Sequence, residues 1–139
     1  MIYSIGRHMP SSYTIALYID QDDYCPVFEY MFDGTNETDL DVIIGVIQRL
    51  AHVGQALLDT NMAERLEGPI CELRKGRHRI TYAEDKRKNG FILLSAFVKA
   101  SQKTPLAEIK KAQRYWQEYL RIGKCQPYDI PLDFDLLNL

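Results

Sequence analysis

The stretch PICELRKGRHRITYAEDKRKNGFILLSAFVKASQKTPLAEIKKAQRYWQEY, Pro69 to Tyr119, reads as three short strands followed by a helix. In Ile70 to Arg74 the strand period of two sets Cys71 and Leu73 on one face and Glu72 and Arg74 on the other. Lys75-Gly76 marks a tight turn. From Arg77 to Tyr82 the alternation sets His78, Ile80 and Tyr82 against Arg77, Arg79 and Thr81. With the apolar members turned toward helices, Arg74 and Arg79 project together from the uncovered face of an antiparallel sheet. Glu84 to Gly90 is a charged hairpin with an Asn-Gly signal, and Phe91 to Val98 is apolar on both faces, as a central strand is. After the connection Lys99 to Lys103, Thr104 is the expected helix cap, with Pro105 at the first helical position and Glu108 near the positive end. Ile109, Ala112, Trp116 and Tyr119 make the stripe to be buried, while Lys110, Arg114 and Arg121 fall on another face.

Toward the N-terminus, Tyr13 to Ile19 is a strand by its β-branched and aromatic content. Pro26 opens a short helix to about Phe32, closed by Gly34-Thr35-Asn36. A longer helix is expected over Asp39 to Val53, capped by Thr38, its wide apolar face lying on a sheet. Gln55 to Glu67 reads as an irregular connection in which Leu57, Met62 and Leu66 cover the core. The expected class is therefore α+β: a small antiparallel sheet with two N-terminal helices packed on it and a C-terminal helix. Residues 1–12 form a leader or extra edge strand, 13–121 the domain, and 122–139 an acidic tail with Asp129, Asp133 and Asp135. Either the tail folds back over the cationic surface, or it is an extra strand or a loose end.

The charge is unevenly spread. Arg74 to Arg121 holds 13 of the 17 Lys and Arg but 4 of the 19 Asp and Glu, a local balance of +9 within a chain of net charge −2. A cationic surface confined to one structural unit is the footprint expected for a polyanionic partner. No apolar run approaches the ~20 residues needed to cross a bilayer. Cys25, Cys71 and Cys125 are odd in number and widely spaced, which points to free thiols and a cytoplasmic protein. His8, His52 and His78 show no metal-ligand spacing, and no glycine-rich phosphate loop occurs, so neither a metal nor a cofactor is expected. Ser95 in LLSAF lacks the flanking glycines of a nucleophile elbow and reads as a strand residue.

What remains is a cluster of Arg and Lys on a small sheet beside a helix N-terminus. RNA cleavage asks little of a protein. The ribose 2′-OH attacks its own phosphodiester when the backbone is held in line, the hydroxyl loses its proton and fixed cations meet the developing charge. Arg clamps phosphate bidentately, and a Lys among other cations can act as base. Arg74, Arg79, Lys99 and Lys103 are the candidates for these roles, with Tyr82, Arg77, Lys110 and Arg114 as substrate-binding candidates. The plainer alternative is a basic surface that only binds nucleic acid or an acidic protein.

The order of residues adds a resemblance. Cys71-Glu72-Leu73-Arg74, Arg79 with Tyr82, Leu93-Leu94, Phe97-Val98-Lys99, Gln102-Lys103-Thr104-Pro105, Glu108-Ile109 and Ala112 resemble the RelE/HigB-type toxins of bacterial toxin–antitoxin modules, in particular their phage-derived branch. The likeness covers roughly residues 13–120. It implies a compact RelE-like fold and ribosome-dependent, metal-independent mRNA cleavage. It also implies neutralisation by a partner antitoxin, often of helix-turn-helix type. Arg74, Arg79, Lys99 and Lys103 match the basic positions of that pattern. Ala100 stands where a second Lys is usual and Ser95 where many members have His, which puts the arrangement of the active site in question. A ParE-type inhibitor of DNA gyrase and a non-catalytic partner-binding module are the alternatives.

Overall fold

The computed structural model describes residues 12–129. Strand β1 (Thr14–Tyr18) leads into α1 (Pro26–Asp33), α2 (Glu37–Val53) and a 3-10 turn over Gly54–Asp59. Four strands then run back and forth: β2 (Ala63–Glu67), β3 (Ile70–Lys75), β4 (His78–Asp85) and β5 (Gly90–Val98). Helix α3 (Leu106–Ile122) and the short β6 (Cys125–Pro127) complete the chain. The sheet order is β2-β3-β4-β5-β1-β6, antiparallel throughout except where β1 runs parallel to β5. The sheet is thus larger than expected and mixed. A parallel pair needs a long crossover, and α1, α2 and the meander β2–β4 supply it.

Both faces of the sheet are used. Alternation sends Cys71, Leu73, Ile80, Tyr82, Phe91 and Leu93 to one face, where α1 and α2 bury them with Val27, Met31, Ile43, Ile47 and Leu50. The other face receives Ile70, Ala83, Ile92, Leu94, Ala16 and Tyr18, covered by Ala112, Trp116 and Tyr119 of α3. So the face of Arg74 and Arg79 is not bare: α3 occupies its apolar half, and a polar half remains. By composition Glu37–Asp59 is long and apolar enough to span a bilayer, but half of its most apolar window is packed inside the molecule.

Local chemistry explains the boundaries. Asn36, not Thr38, caps α2, its Oδ1 accepting from Asp39 N at 2.8 Å, so the helix begins at Glu37. Pro26 opens α1 as expected. Asn89 is left-handed (φ 50°), but it closes the 3-10 turn Lys86–Lys88 and does not form a two-residue Asn-Gly turn, because Gly90 already pairs with Asp85 in β5; β4 runs on to Asp85 and the connection shrinks to Lys86–Asn89. Strand β2 was not legible, whereas β6 answers to the extra strand that was one reading of the tail. β2 is an edge strand of five residues, three of them charged (Glu64, Arg65, Glu67), a composition that protects an edge and blurs the strand pattern. β6 is three residues ending in Pro127, which an edge tolerates. Residues 1–11 and 130–139, most of the expected leader and tail, lie outside the described residues.

Gly90 sits opposite Thr14 in the parallel register. A Cβ there would fall well inside van der Waals contact with Thr14 Oγ1 and its carbonyl oxygen, so only glycine lets β1 and β5 approach. Gly90→Ala is expected to destabilise by about 3 kcal/mol, read as a lower urea midpoint at unchanged slope. At the far end of α3, Tyr119 Oη donates to Asp85 Oδ2, and Arg87 donates to both Asp85 oxygens at 3.2 and 3.3 Å. Burial pushes the Asp85 carboxyl up, but these bonds from Arg87 and Tyr119 prevail and hold it below its ordinary value. The stabilisation is present above the unfolded carboxyl's pKa and is lost as pH falls through the lower folded one. Asp85→Asn should cost about 1–3 kcal/mol at neutral pH, with the deficit closing as urea melts are taken below pH ~4.

Candidate nucleic-acid interface

The polar half of the α3 face is built from the strand register. Glu64, Glu72, Thr81 and Ser95 lie in one row across β2, β3, β4 and β5. Arg74, Arg79 and Phe97 lie in the next. Residues directly opposite in antiparallel strands share a face and lie near each other, so two guanidinium groups are brought side by side. Like charges in that position repel. The repulsion is met by Glu72, a carboxylate with 0% of its surface exposed.

Glu72 gathers the site. Its Oε2 accepts from Arg74 Nε at 3.0 Å and lies 3.9 Å from Arg79 Nε. Its Oε1 accepts from Thr104 Oγ1 at 2.7 Å. Burial pushes the Glu72 carboxyl above its ordinary value, against the Thr104 hydrogen bond and the nearby charges of Arg79 and Lys99. Arg74 also pairs with Glu64 of β2, and burial together with the Arg79 charge pulls its guanidinium below its usual value. Arg79 is 7% exposed and spends its Nη1 on the carbonyls of Gly76 and His78, each at 2.9 Å. Thr104 therefore does not cap α3. Pro105 takes that place without a side-chain bond, and the helix begins at Leu106.

The remaining candidates divide. Lys99 N donates to Arg77 O at 2.7 Å and Arg77 Nη2 donates to Lys99 O at 3.3 Å, so Lys99 and exposed Arg77 lie together where β4 and β5 begin and end. Lys99 and the exposed Lys103 flank the same connection and have no ion-pair partner among the described residues. Lys110 and Arg114 are exposed on α3, where Arg114 lies over the Tyr115 ring, 5.5 Å from its centroid. Tyr82 is not brought to the cluster. Its ring is fully buried on the α1–α2 face against Phe91, its hydroxyl donates to Gln55 at 3.0 Å, and burial drives its pKa far up. The aromatic ring on the arginine face is Phe97, half-buried opposite Arg79. Glu72 and Phe97 are the residues sequence reasoning passed over. Strand parity places Glu72 on that face, since it alternates with Leu73, whereas Phe97 reaches it through the bulge between β4 and β5 and its pairing with Arg79. Ser95 is 2% exposed, and its hydroxyl lies 2.6 Å from that of Thr81 across a bulge, a structural pairing rather than a nucleophile in waiting.

These placements separate structural from surface cations. Arg79→Ala leaves Gly76 and His78 carbonyls unsatisfied beside a buried carboxylate and is expected to cost about 3–5 kcal/mol. Lys99→Ala and Lys103→Ala are expected to remain within about 0.5 kcal/mol of the parent. Urea melts of the three variants check the division.

No curated protein matches the chain. A family model does, over residues 31–117: phage derived protein Gp49-like (DUF891). That match takes in α2, the strands β2 to β5 and most of α3, and with them every side chain that converges on Glu72. The chain belongs to this Gp49-like, phage-derived family, a family of RelE/toxin-like proteins.

Proposed function

We propose that the protein is the toxin of a toxin–antitoxin module and acts as a metal-independent endoribonuclease on mRNA at the ribosome. The observation that carries this reading is the convergence of Arg74 and Arg79 on the buried Glu72 carboxylate, with Lys99 held beside Arg77 at the adjoining strand ends. Two cations drawn to a single anion from neighbouring strands, with Lys99 just past the end of β5, form a field that a phosphodiester at the surface above also enters. Membership of a RelE/toxin-like family supports the same reading.

The roles follow from exposure. Arg74, partly exposed, and Lys99 and Lys103 at the rim are positioned to meet phosphate oxygens, with Arg77 extending the track along the backbone. Arg79 is too enclosed to touch substrate and acts by its charge and by fixing the β3–β4 turn. Phe97 offers a stacking face to a base beside the scissile phosphate. Attack by the 2′-OH on the adjacent phosphorus would leave a 2′,3′-cyclic phosphate and a 5′-hydroxyl, the cations offsetting the charge on the phosphorane oxygens. The partner expected to neutralise the protein is a helix-turn-helix antitoxin covering this end of the sheet.

One observation favours a second reading. The Arg74 and Arg79 guanidinium groups are already engaged by Glu64, Glu72 and main-chain carbonyls, an arrangement that suits binding without cleavage. Translating ribosomes charged with a defined mRNA and incubated with purified protein decide between them. The cleaving reading expects 5′-hydroxyl ends within the ribosome-covered region, and Lys99→Ala or Arg74→Ala should slow their appearance about 10²-fold or more. Intact mRNA at stoichiometric protein would overturn it in favour of binding alone.

A further inference from the structure

We propose that Glu72 is the positioning residue of this surface: its carboxylate aims Arg74, seats the Lys99–Lys103 connection through Thr104, and caps the strength of the cationic field. The inference rests on the reading of the surface as a phosphodiester site, but it assigns a function to a residue of opposite charge.

The argument starts from cost. An ionised carboxylate removed from water is strongly disfavoured unless its oxygens are paired. Here both oxygens are used, and by different parts of the chain. Oε2 takes Arg74 Nε from its own strand and stands within 3.9 Å of Arg79 Nε on β4. Oε1 takes the hydroxyl of Thr104, which lies before the Pro105 cap of α3 and closes the connection carrying Lys99 and Lys103. A single side chain therefore ties β3, β4 and the start of α3 together at the point where the cations gather.

Its charge has a second effect. Glu72 and Glu64 balance Arg74 and Arg79 as two acids against two bases, so the net positive field outside comes from Lys99, Lys103 and Arg77. Glu64 is half-exposed at 49% and its charge is screened by water, whereas that of Glu72 is not. Removing the Glu72 charge thus strengthens attraction for a polyanion while releasing Arg74 from its aim. Affinity and catalysis move in opposite directions, which loss of packing alone does not produce.

The test uses the full chain with a single-stranded RNA dodecamer for binding and ribosome-bound mRNA for cleavage. Glu72→Gln keeps an acceptor for Thr104 and removes the charge. It should bind the dodecamer several-fold more tightly at low salt, with the slope of log K against log salt steeper by about 0.7, and cleave at least tenfold more slowly at saturation. Affinity and slope equal to the parent's overturn the proposal, as does a weaker affinity that tracks the fraction of unfolded protein. Thr104→Val leaves every charge in place and keeps the test valid if Glu72→Gln fails to fold. It should lower kcat with an unchanged salt slope, and an unchanged kcat overturns the seating role. If the parent binds the dodecamer but never cleaves, the ribonuclease reading falls and the affinity comparison still decides the part played by Glu72. A parent with no salt-dependent RNA binding overturns both.

Discussion

A carboxylate sealed from water beside two guanidinium groups sets the terms for one end of this molecule. Without Glu72, the register that places Arg74 opposite Arg79 would press two positive charges together on a half-buried sheet. Without the arginines and Thr104, the carboxylate itself would be untenable. Each is tolerable because of the others, so the row of polar side chains behaves as one unit. Its position follows from α3, whose apolar stripe covers the sheet from Ala112 to Tyr119 and leaves the region before Leu106 to polar groups.

Much of this was legible from strand alternation. The separation of Cys71, Leu73, Ile80 and Tyr82 from Glu72, Arg74, Arg79 and Thr81 is a property of the period of two, and the faces came out as that period demands. The same alternation had already placed Tyr82 away from Arg79. Tyr82 is close to Arg79 in sequence, but its parity sends it to the opposite face. Phe97 was hidden for a different reason: a bulge where β4 and β5 shift register puts Leu94 and Ser95 out of simple alternation. Edge strand β2 gave no signal because its charge, which suits it to an edge, removes the pattern by which strands are found, and the brevity of β6 left an extra strand as one alternative among others for the tail. Burial of Glu72 could not be read either, since a Glu beside an Arg in a strand looks like an ordinary exposed pair until a helix start is known to close over it.

The family assignment and the physical reading support different statements. Membership of the Gp49-like family covers the fold and the segments that carry the cluster. The chemistry rests on how those side chains are disposed, and there the molecule is more restrained than its composition suggests. Of the four basic residues central to the sequence reading, Arg79 is structural and Arg74 is shared between two acids. The two lysines at the rim keep the freest charges. The basic excess in the sequence therefore overstates the field offered to a partner, and the acidic neighbours set its reach.

The parallel pairing of β1 with β5 also bears on how the chain assembles. The hydroxyl of Thr14 bonds to the carbonyl of Lys88 across a sequence separation of 74 residues, whereas β2 to β5 are joined by turns of a few residues each. Closing so long a loop costs entropy that local hairpins avoid. The four-strand meander can form early, while β1, which precedes it in the chain, must wait for the last strand of that meander before it finds its place in the sheet. During synthesis β1, although apolar on both sides, has no strand to pair with until β5 emerges.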